Sequence, residues 1–322
     1  MTKRQTGPGS LWVAVGLLLL PGCERQPPPR PVATPPVPNA AKPDDSKSAF
    51  EAAGKVTMND RGELTSIDLR GEPYDEALFA SVNEHPSLKA IRLGGGGDGV
   101  DAELTSDSFA RIAQLPRLKV LAIDAVRVVG DQVAKLSLPP TLVEFYASGT
   151  NLPGGVLQQL DQLPLRKLRL SGIELGTETK RAISRCGTLI ELDLSSTTNL
   201  DASFIQDLPT KLHKLNLYDT AIGDEAIKSI AKLPDLVELN LDKTEITDRG
   251  VTDLVSLKGL KWLHLGSTSV SDAAAESLAS IDTLKTLIVT RTRMTTEGVK
   301  AIRRQLPELD IELEYRGGSN DR

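Results

Sequence analysis

The sequence predicts an α/β solenoid: a stack of strand–turn–helix units with a parallel sheet on the concave side of a horseshoe and helices on the convex side. Three observations predict it. The signature Leu212-x-x-Leu215-x-Leu217 returns as Leu236-x-x-Leu239-x-Leu241, Leu260-x-x-Leu263-x-Leu265 and Leu284-x-x-Leu287-x-Val289, with first leucines 24 residues apart. A fixed period of that size means stacked repeats, each burying its apolar face on its neighbours. Between signatures runs an apolar stripe at spacing three, such as Ile227-Ile230-Leu233 and Val251-Leu254-Leu257. That is the inward face of an amphipathic helix. Pro86, Pro116, Pro164, Pro209, Pro234 and Pro307 precede the next strand and mark where each helix stops.

Residues 1–22 read as a signal peptide and stand outside the fold. Lys3 and Arg4 supply the positive start, and the apolar stretch Leu11–Leu20 is too short to span a bilayer. Leu20-Pro21-Gly22-Cys23 follows. It resembles a bacterial lipobox, with Pro21 an atypical choice. The resemblance implies that Cys23 is lipidated, becomes the first mature residue and anchors the chain to a membrane. The alternative is an ordinary signal peptide that contains Cys23. Glu24 is not the aspartate that resembles an inner-membrane retention signal, which points to the outer membrane. Residues 23–49 form a disordered tether stiffened by Pro27-Pro28-Pro29 and Pro35-Pro36. The repeat domain spans 50–316, and 317–322 is a disordered tail. At 55–69 two alternating segments flank Asn59-Asp60-Arg61-Gly62, which predicts a β-hairpin capping the N-terminal end of the core.

The strand signature then runs through Leu64, Leu88, Leu118, Leu142, Leu165 and Leu189. The longer step from 88 to 118 holds Gly94-Gly95-Gly96-Gly97-Asp98-Gly99, a loop insertion. Phe79-Val82 and Phe109-Ile112 continue the helical stripe upstream, whereas Pro139-Pro140 and Pro153-Gly154-Gly155 disturb it. Asp224, Asp248 and Asp272 stand ahead of the stripes, where a carboxylate accepts the free N–H groups of its own helix's first turn. Thr220, Thr244, Thr268 and Thr292 follow the strands, and their hydroxyls are expected to satisfy turn backbone. No base recurs beside them, so they do not form catalytic sites.

The run Leu236-Val-Glu-Leu-Asn-Leu-Asp-Lys-Thr-Glu-Ile-Thr-Asp-Arg-Gly-Val and its neighbour starting at Leu260 resemble the leucine-rich-repeat proteins of bacterial envelopes. More distantly they resemble the cysteine-containing repeats of F-box proteins. The resemblance covers residues 64–313, strongly from Leu189 and weakly between Ala125 and Gly187. It implies a leucine-rich-repeat solenoid whose concave surface binds a partner. No F-box-like segment is present, so a ubiquitin-ligase role has no support.

Chemistry is hard to find. Gly94-x-Gly96-x-x-Gly99 matches a dinucleotide fingerprint superficially, but no helix begins at Gly99 and no nucleotide domain surrounds it. Asp98, Asp101 and Glu103 match no EF-hand spacing. His85, His213, His264 and Cys186 give no zinc spacing, and Cys186 reads as a small buried thiol. No cofactor or metal is expected, and no enzyme. A formal charge of −5 without a basic stripe argues against nucleic acid.

In each signature the third, fifth and seventh positions point out from the sheet. The third positions run Glu144, Lys167, Glu191, Lys214, Glu238, a ladder of opposite charges and so a poor site for a charged ligand. Trp262 then interrupts it. Tyr218, Asn240, Asp242, Trp262 and His264 form one patch, with Asn216 as further polar support. Binding is expected to centre on Tyr218, Trp262 and His264, because aromatic residues dominate binding energy. Alternatively Trp262 leans on Lys261 or Tyr218 and shields the sheet. The expected function is a lipid-anchored, non-enzymatic module that binds protein or peptide at the bacterial cell envelope, in the outer membrane or facing the periplasm. The alternatives are a structural envelope component without a discrete ligand, or a glycan-binding surface.

Overall fold

The repeat dictates the sheet. The computed structural model describes residues 43–314, apart from 73, 75 and 96–101. The expected signal peptide, Cys23, the expected tether up to residue 42, Gly96–Gly99 and the expected tail at 317–322 lie outside the described residues. Among the described residues, twelve strands form one sheet, and two more form a separate pair. In chain order these are β1 (Lys55–Met58), β2 (Leu64–Asp68), β3 (Ala90–Gly94), β4 (Ala102–Thr105), β5 (Val120–Asp124), β6 (Val126–Val129) and β7 (Glu144–Tyr146). They continue as β8 (Lys167–Arg169), β9 (Glu191–Asp193), β10 (Lys214–Asn216), β11 (Glu238–Asn240), β12 (Trp262–His264), β13 (Thr286–Ile288) and β14 (Asp310–Glu312). The hairpin β1–β2 is antiparallel, and every later neighbour in the large sheet is parallel.

The register matches equivalent repeat positions: Lys214 opposite Glu238, Leu215 opposite Leu239, Asn216 opposite Asn240. Leu212, Leu215, Leu217 and their equivalents are buried in one continuous core. Because side chains alternate across a strand, the residues between those leucines face outward as rows. The hydroxyls of Thr220, Thr244, Thr268 and Thr292 each donate to the carbonyl three residues back, at 2.5–2.7 Å, as expected.

The convex side carries α1 (Pro43–Ala53), α2 (Ser106–Ala113), α3 (Gly154–Leu157), α4 (Thr177–Arg185), α5 (Ala202–Gln206), α6 (Asp224–Ile230), α7 (Asp248–Leu254), α8 (Ala275–Ala279) and α9 (Thr296–Gln305). Three expectations are corrected here. The tether does not reach residue 49, because α1 already begins at Pro43. Phe50 of α1 is buried edge-on against Phe79 and His85, and Ser46 Oγ lies 2.9 Å from His85 Nε2. Tertiary contact thus orders a segment without its own apolar periodicity, and this helix joins the hairpin at the N-terminal end. The stripe Phe79-Val82 lies on a 3₁₀ segment, Glu76–Glu84, not an α-helix. A spacing of three is one turn of that tighter helix, so both residues are still buried. Finally, Asp224, Asp248 and Asp272 reach the next repeat. Asp224 accepts from the N–H and hydroxyl of Thr247 at 2.9 and 2.7 Å, Asp248 from Ser271 at 2.6 and 2.6 Å, Asp272 from Thr295 at 2.7 and 2.7 Å. Those hydroxyls are themselves the N-caps of the following helical turns.

The disturbed region follows expectation in part. Val133 lies on a single 3₁₀ turn, Val133–Lys135, and α3 has four residues after Pro153. The sequence gives no warning of β4 pairing with β6, which runs parallel from Ala102↔Val126 to Thr105↔Val129. Ala125 at φ 56° makes the turn that Ser196, Asp219, Lys243, Ser267 and Arg291 make at the same place in their repeats, and here alone among these a second strand follows.

Candidate functional site

The concave rows are built of charge. Lys167 lies 3.9 Å from Glu144 and 3.5 Å from Glu191, and Lys214 lies 2.9 Å from Glu238. In the next row Arg169 lies 3.6 Å from Asp124 and 3.3 Å from Asp193. Its guanidinium also stacks over Tyr146, 5.2 Å from the ring centre. The Tyr146 hydroxyl donates to Glu144 at 2.9 Å, and burial together with that carboxylate holds its pKa far above the ordinary phenol value. The expected ladder has a gap: among the described residues no ion pair joins Glu191 to Lys214.

A groove of about 260 Å³ crosses these rows from Tyr146 on β7 to Trp262 on β12. Lys167, Arg169, Glu191, Asp193, Lys214 and Glu238 form much of its lining. The exposed side-chain fractions of 38% for Lys167 and 48% for Lys214 leave both pairs open to exchange with a ligand. Exposed pairs of this kind contribute little to stability, so breaking them for a partner costs little.

The patch expected from sequence is divided. Asn216, Asn240 and Trp262 line the groove, whereas Tyr218, Asp242 and His264 stand beside it. Asn216 Oδ1 accepts the Tyr218 N–H at 3.1 Å, and Asn240 Oδ1 accepts the Asp242 N–H at 3.0 Å. These contacts fix both side chains and leave their amide Nδ2 donors as the groups a ligand can use. The Tyr218 face is occupied, with Lys243 Nζ 5.0 Å from the ring centre. Trp262 meets His264 edge-on, centroids 5.7 Å apart at 76°. His264 Nε2 lies 3.8 Å from Asp242 Oδ2. Burial lowers the imidazole pKa below its ordinary value, against the opposing pull of Asp242 and Glu312.

Sequence reasoning missed Tyr146 and Arg169. Both occupy the fifth position, and that row was their signal. Cys186 is buried, its thiol donates to the Ala182 carbonyl at 3.3 Å, and burial pushes its pKa up to about 12. It is therefore a packing residue and not a nucleophile.

Residues 209–231 and 232–255 match the family described as Leucine Rich repeat. The fold is a leucine-rich-repeat solenoid. An internalin from Listeria monocytogenes is similar in structure, with TM-score 0.55 and 18% identity over 84% of this chain and 88% of the internalin. A leucine-rich-repeat protein of Leptospira interrogans is similar at TM-score 0.51 and 19% identity, over 78% of this chain and 72% of that one. No curated protein matches the sequence. Such identities show a common leucine-rich-repeat architecture, within which the rows described above belong to this chain.

Proposed function

We propose that this protein is a non-enzymatic binding module that holds an extended segment of a partner protein or peptide across the concave sheet. The observation that carries this reading is the groove from Tyr146 to Trp262. Parallel strands are spaced about 4.8 Å apart, so a groove over β7–β12 spans roughly 24 Å, the length of about seven extended residues. Its lining alternates cation, anion and amide, the groups that pair with peptide backbone and mixed-charge side chains. Tyr146 and Trp262 stand at its two ends. Aromatic anchors with a polar surround are the usual carriers of protein-binding energy.

The anchoring part of the proposal rests on Leu20-Pro21-Gly22-Cys23. Cys23 carries lipid, and the module faces the periplasm or exterior from the bacterial envelope, in the outer membrane. Two acyl chains hold a protein firmly where one does not. Cys23→Ser is expected to release the chain from the membrane fraction or leave it unprocessed. An unmodified mature N-terminus at another residue, found by mass spectrometry, would overturn the anchoring.

The test of the groove is photo-crosslinking in intact cells of the source organism. Benzoylphenylalanine replaces Asn216 in one strain and Lys228, on the convex helix α6, in another. Discrete adducts are expected from position 216 alone. Equal adducts from both positions, or none from 216, sink the reading.

A further inference from the structure

The rows that flank the groove have a period, and a bound backbone must match it to keep in step. The third positions run Lys167, Glu191, Lys214, Glu238 and Trp262 on successive strands in register. Like charges therefore recur on every second strand, about 9.6 Å apart. A β-extended segment laid along the groove returns a side chain to the same side after two residues, about 6.8 Å. That length falls between one strand spacing and two, so such a segment drifts out of step at once. A polyproline II segment has three residues per turn and returns a side chain to the same side after about 9.3 Å. Its mismatch with the rows is only about 0.3 Å per turn, small enough to hold register along the whole groove.

The hydrogen-bonding groups point the same way. Asn216 and Asn240 already commit their Oδ1 atoms to the N–H groups of Tyr218 and Asp242. Each then offers the groove an Nδ2 donor, so the segment bound there must bring carbonyls to meet them. Proline has a carbonyl and no N–H, and a polyproline II backbone makes no internal hydrogen bonds, which leaves its carbonyls open to such donors. Trp262, half-buried at the end of the groove, adds an aromatic ring, and aromatic-lined grooves are the usual seats of proline-rich segments. The ladder sets the charge. Among the described residues Glu191 pairs with Lys167 alone, at 3.5 Å, and Glu238 with Lys214 alone, at 2.9 Å. A carboxylate accepts at about four sites, so both keep acceptor capacity. Glu191 and Glu238 stand two strands apart, one polyproline turn. Lys167, by contrast, already lies between two carboxylates. A net charge of −5 also draws a cationic segment in. A guanidinium can grip a carboxylate through two parallel bonds, which an ammonium cannot.

We propose that the groove recognises a proline-rich segment of its partner in the polyproline II conformation, with arginines three residues apart set on Glu191 and Glu238. The inference names the partner class for the groove reading and rests on that reading. The third-position row selects the arginines, the two asparagine amides take backbone carbonyls, and the remaining face of the three-sided segment is left to solvent.

The test is fluorescence anisotropy on the purified full chain with four labelled peptides. The first is Pro-Arg-Pro-Pro-Arg-Pro-Pro-Arg-Pro, with arginine at every third position. Its isomer Pro-Pro-Arg-Pro-Arg-Pro-Arg-Pro-Pro keeps composition and charge but has no arginines three apart. Thr-Arg-Val-Thr-Arg-Val-Thr-Arg-Val keeps the arginine spacing on a β-forming backbone, and the fourth peptide is the first with glutamate for arginine. The first peptide is expected to bind tightest, with each of the others weaker by about fivefold for every exposed ion pair lost. Glu191→Gln and Glu238→Gln, which remove exposed charges and keep the shape, are each expected to erase the preference of the first peptide over its isomer. Equal affinity for the two isomers, tighter binding of the threonine–valine or the glutamate peptide, or an unchanged preference in both glutamine variants each overturn the inference. Should a variant not fold, the four peptides on the unaltered chain decide by themselves. If no peptide binds while adducts persist at position 216, this inference falls and the groove reading stands. The expected preference without adducts in cells keeps the recognition of the peptide and removes the cellular partner.

Discussion

The middle of the solenoid and its C-terminal repeats share one sheet but fasten their convex sides differently. From α6 onward an aspartate in one repeat takes both the N–H and the hydroxyl of the residue that caps the next. Between residues 128 and 199 carboxamides do this work. Asn151 accepts from the Val128 N–H and donates to its carbonyl, both at 2.8 Å. Gln159 accepts from the Leu138 N–H at 3.1 Å and donates to the Leu136 carbonyl at 2.9 Å. Asn199 does the same with Leu175, at 3.3 and 2.8 Å. One amide supplies a donor and an acceptor side by side, as a strand residue does. The leucine ladder therefore sets the register in both regions. The convex half is free to vary provided polar side chains close onto the neighbouring repeat's backbone.

If that division of labour is right, core damage should be equal in the two regions. Leu168→Ala in the middle and Leu239→Ala or Leu263→Ala towards the C-terminus should each cost about 2–5 kcal/mol, because each removes a side chain no more than 2% exposed. Denaturant midpoints on the three variants check it. A Leu168→Ala cost below half that of the others would mean that the middle repeats are loosely packed, and the comparison breaks.

Fastener damage should differ. Gly250, in the first half of α7, lies against the Asp224 carboxylate, and a Cβ there would collide with Oδ1. Gly250→Ala gains up to about 1 kcal/mol of helix propensity but displaces a carboxylate that holds two hydrogen bonds. The displacement wins, with a net loss of about 1–2 kcal/mol, the usual scale for forced overpacking. At Gly155, in α3, the nearest atom to such a Cβ is the Ala134 carbonyl oxygen at 4.0 Å. Gly155→Ala should therefore be neutral or stabilising by up to about 1 kcal/mol. Thermal melts of both variants sharpen the contrast, and equal destabilisation removes it.

The two regions were unequally legible. The leucine register and the threonine hydroxyls could be read because period two within a strand and period 24 along the chain leave one geometry for Leu239 or Thr244. The aspartate fasteners could not. A carboxylate at the start of a helix reaches either its own first turn or the neighbouring cap, and only the distance between repeats decides. Thr247-Asp248 and Ser271-Asp272, a capping hydroxyl just before each aspartate, were the available clue. Helix α1 was invisible because Phe50 is its one large apolar side chain, too little to make a periodic stripe. Asn216, Asn240 and Trp262 were legible as groove residues from their positions in the outward rows. Tyr146 and Arg169 were hidden because charges that pair with each other look finished, although exposed pairs are easily exchanged.

The smallest expected effect separates the two fasteners by pH. Carboxamides do not titrate in the acid range, whereas carboxylates do. Hydrogen bonds from the Thr295 N–H and hydroxyl hold Asp272 below the usual aspartate pKa. Bonds from the Ser203 hydroxyl and the Phe204 N–H hold Asp201, the cap of α5, at about 2. A folded-state pKa that is depressed contributes stability fully present above the unfolded value, near 4, and lost as pH falls through the folded value. For Asp201 the window runs from roughly 4 down to about 2. Hydrogen exchange, corrected for intrinsic rates, should show the Phe204 amide losing protection across that window and the Thr295 amide losing it once pH falls below the ordinary aspartate range. The amides of Val128 and Leu138, which donate to Asn151 and Gln159, should keep theirs. Their losing protection in step with Phe204 would mean that the convex side unfolds as one cooperative unit, and the choice of fastener would then carry no consequence for local stability.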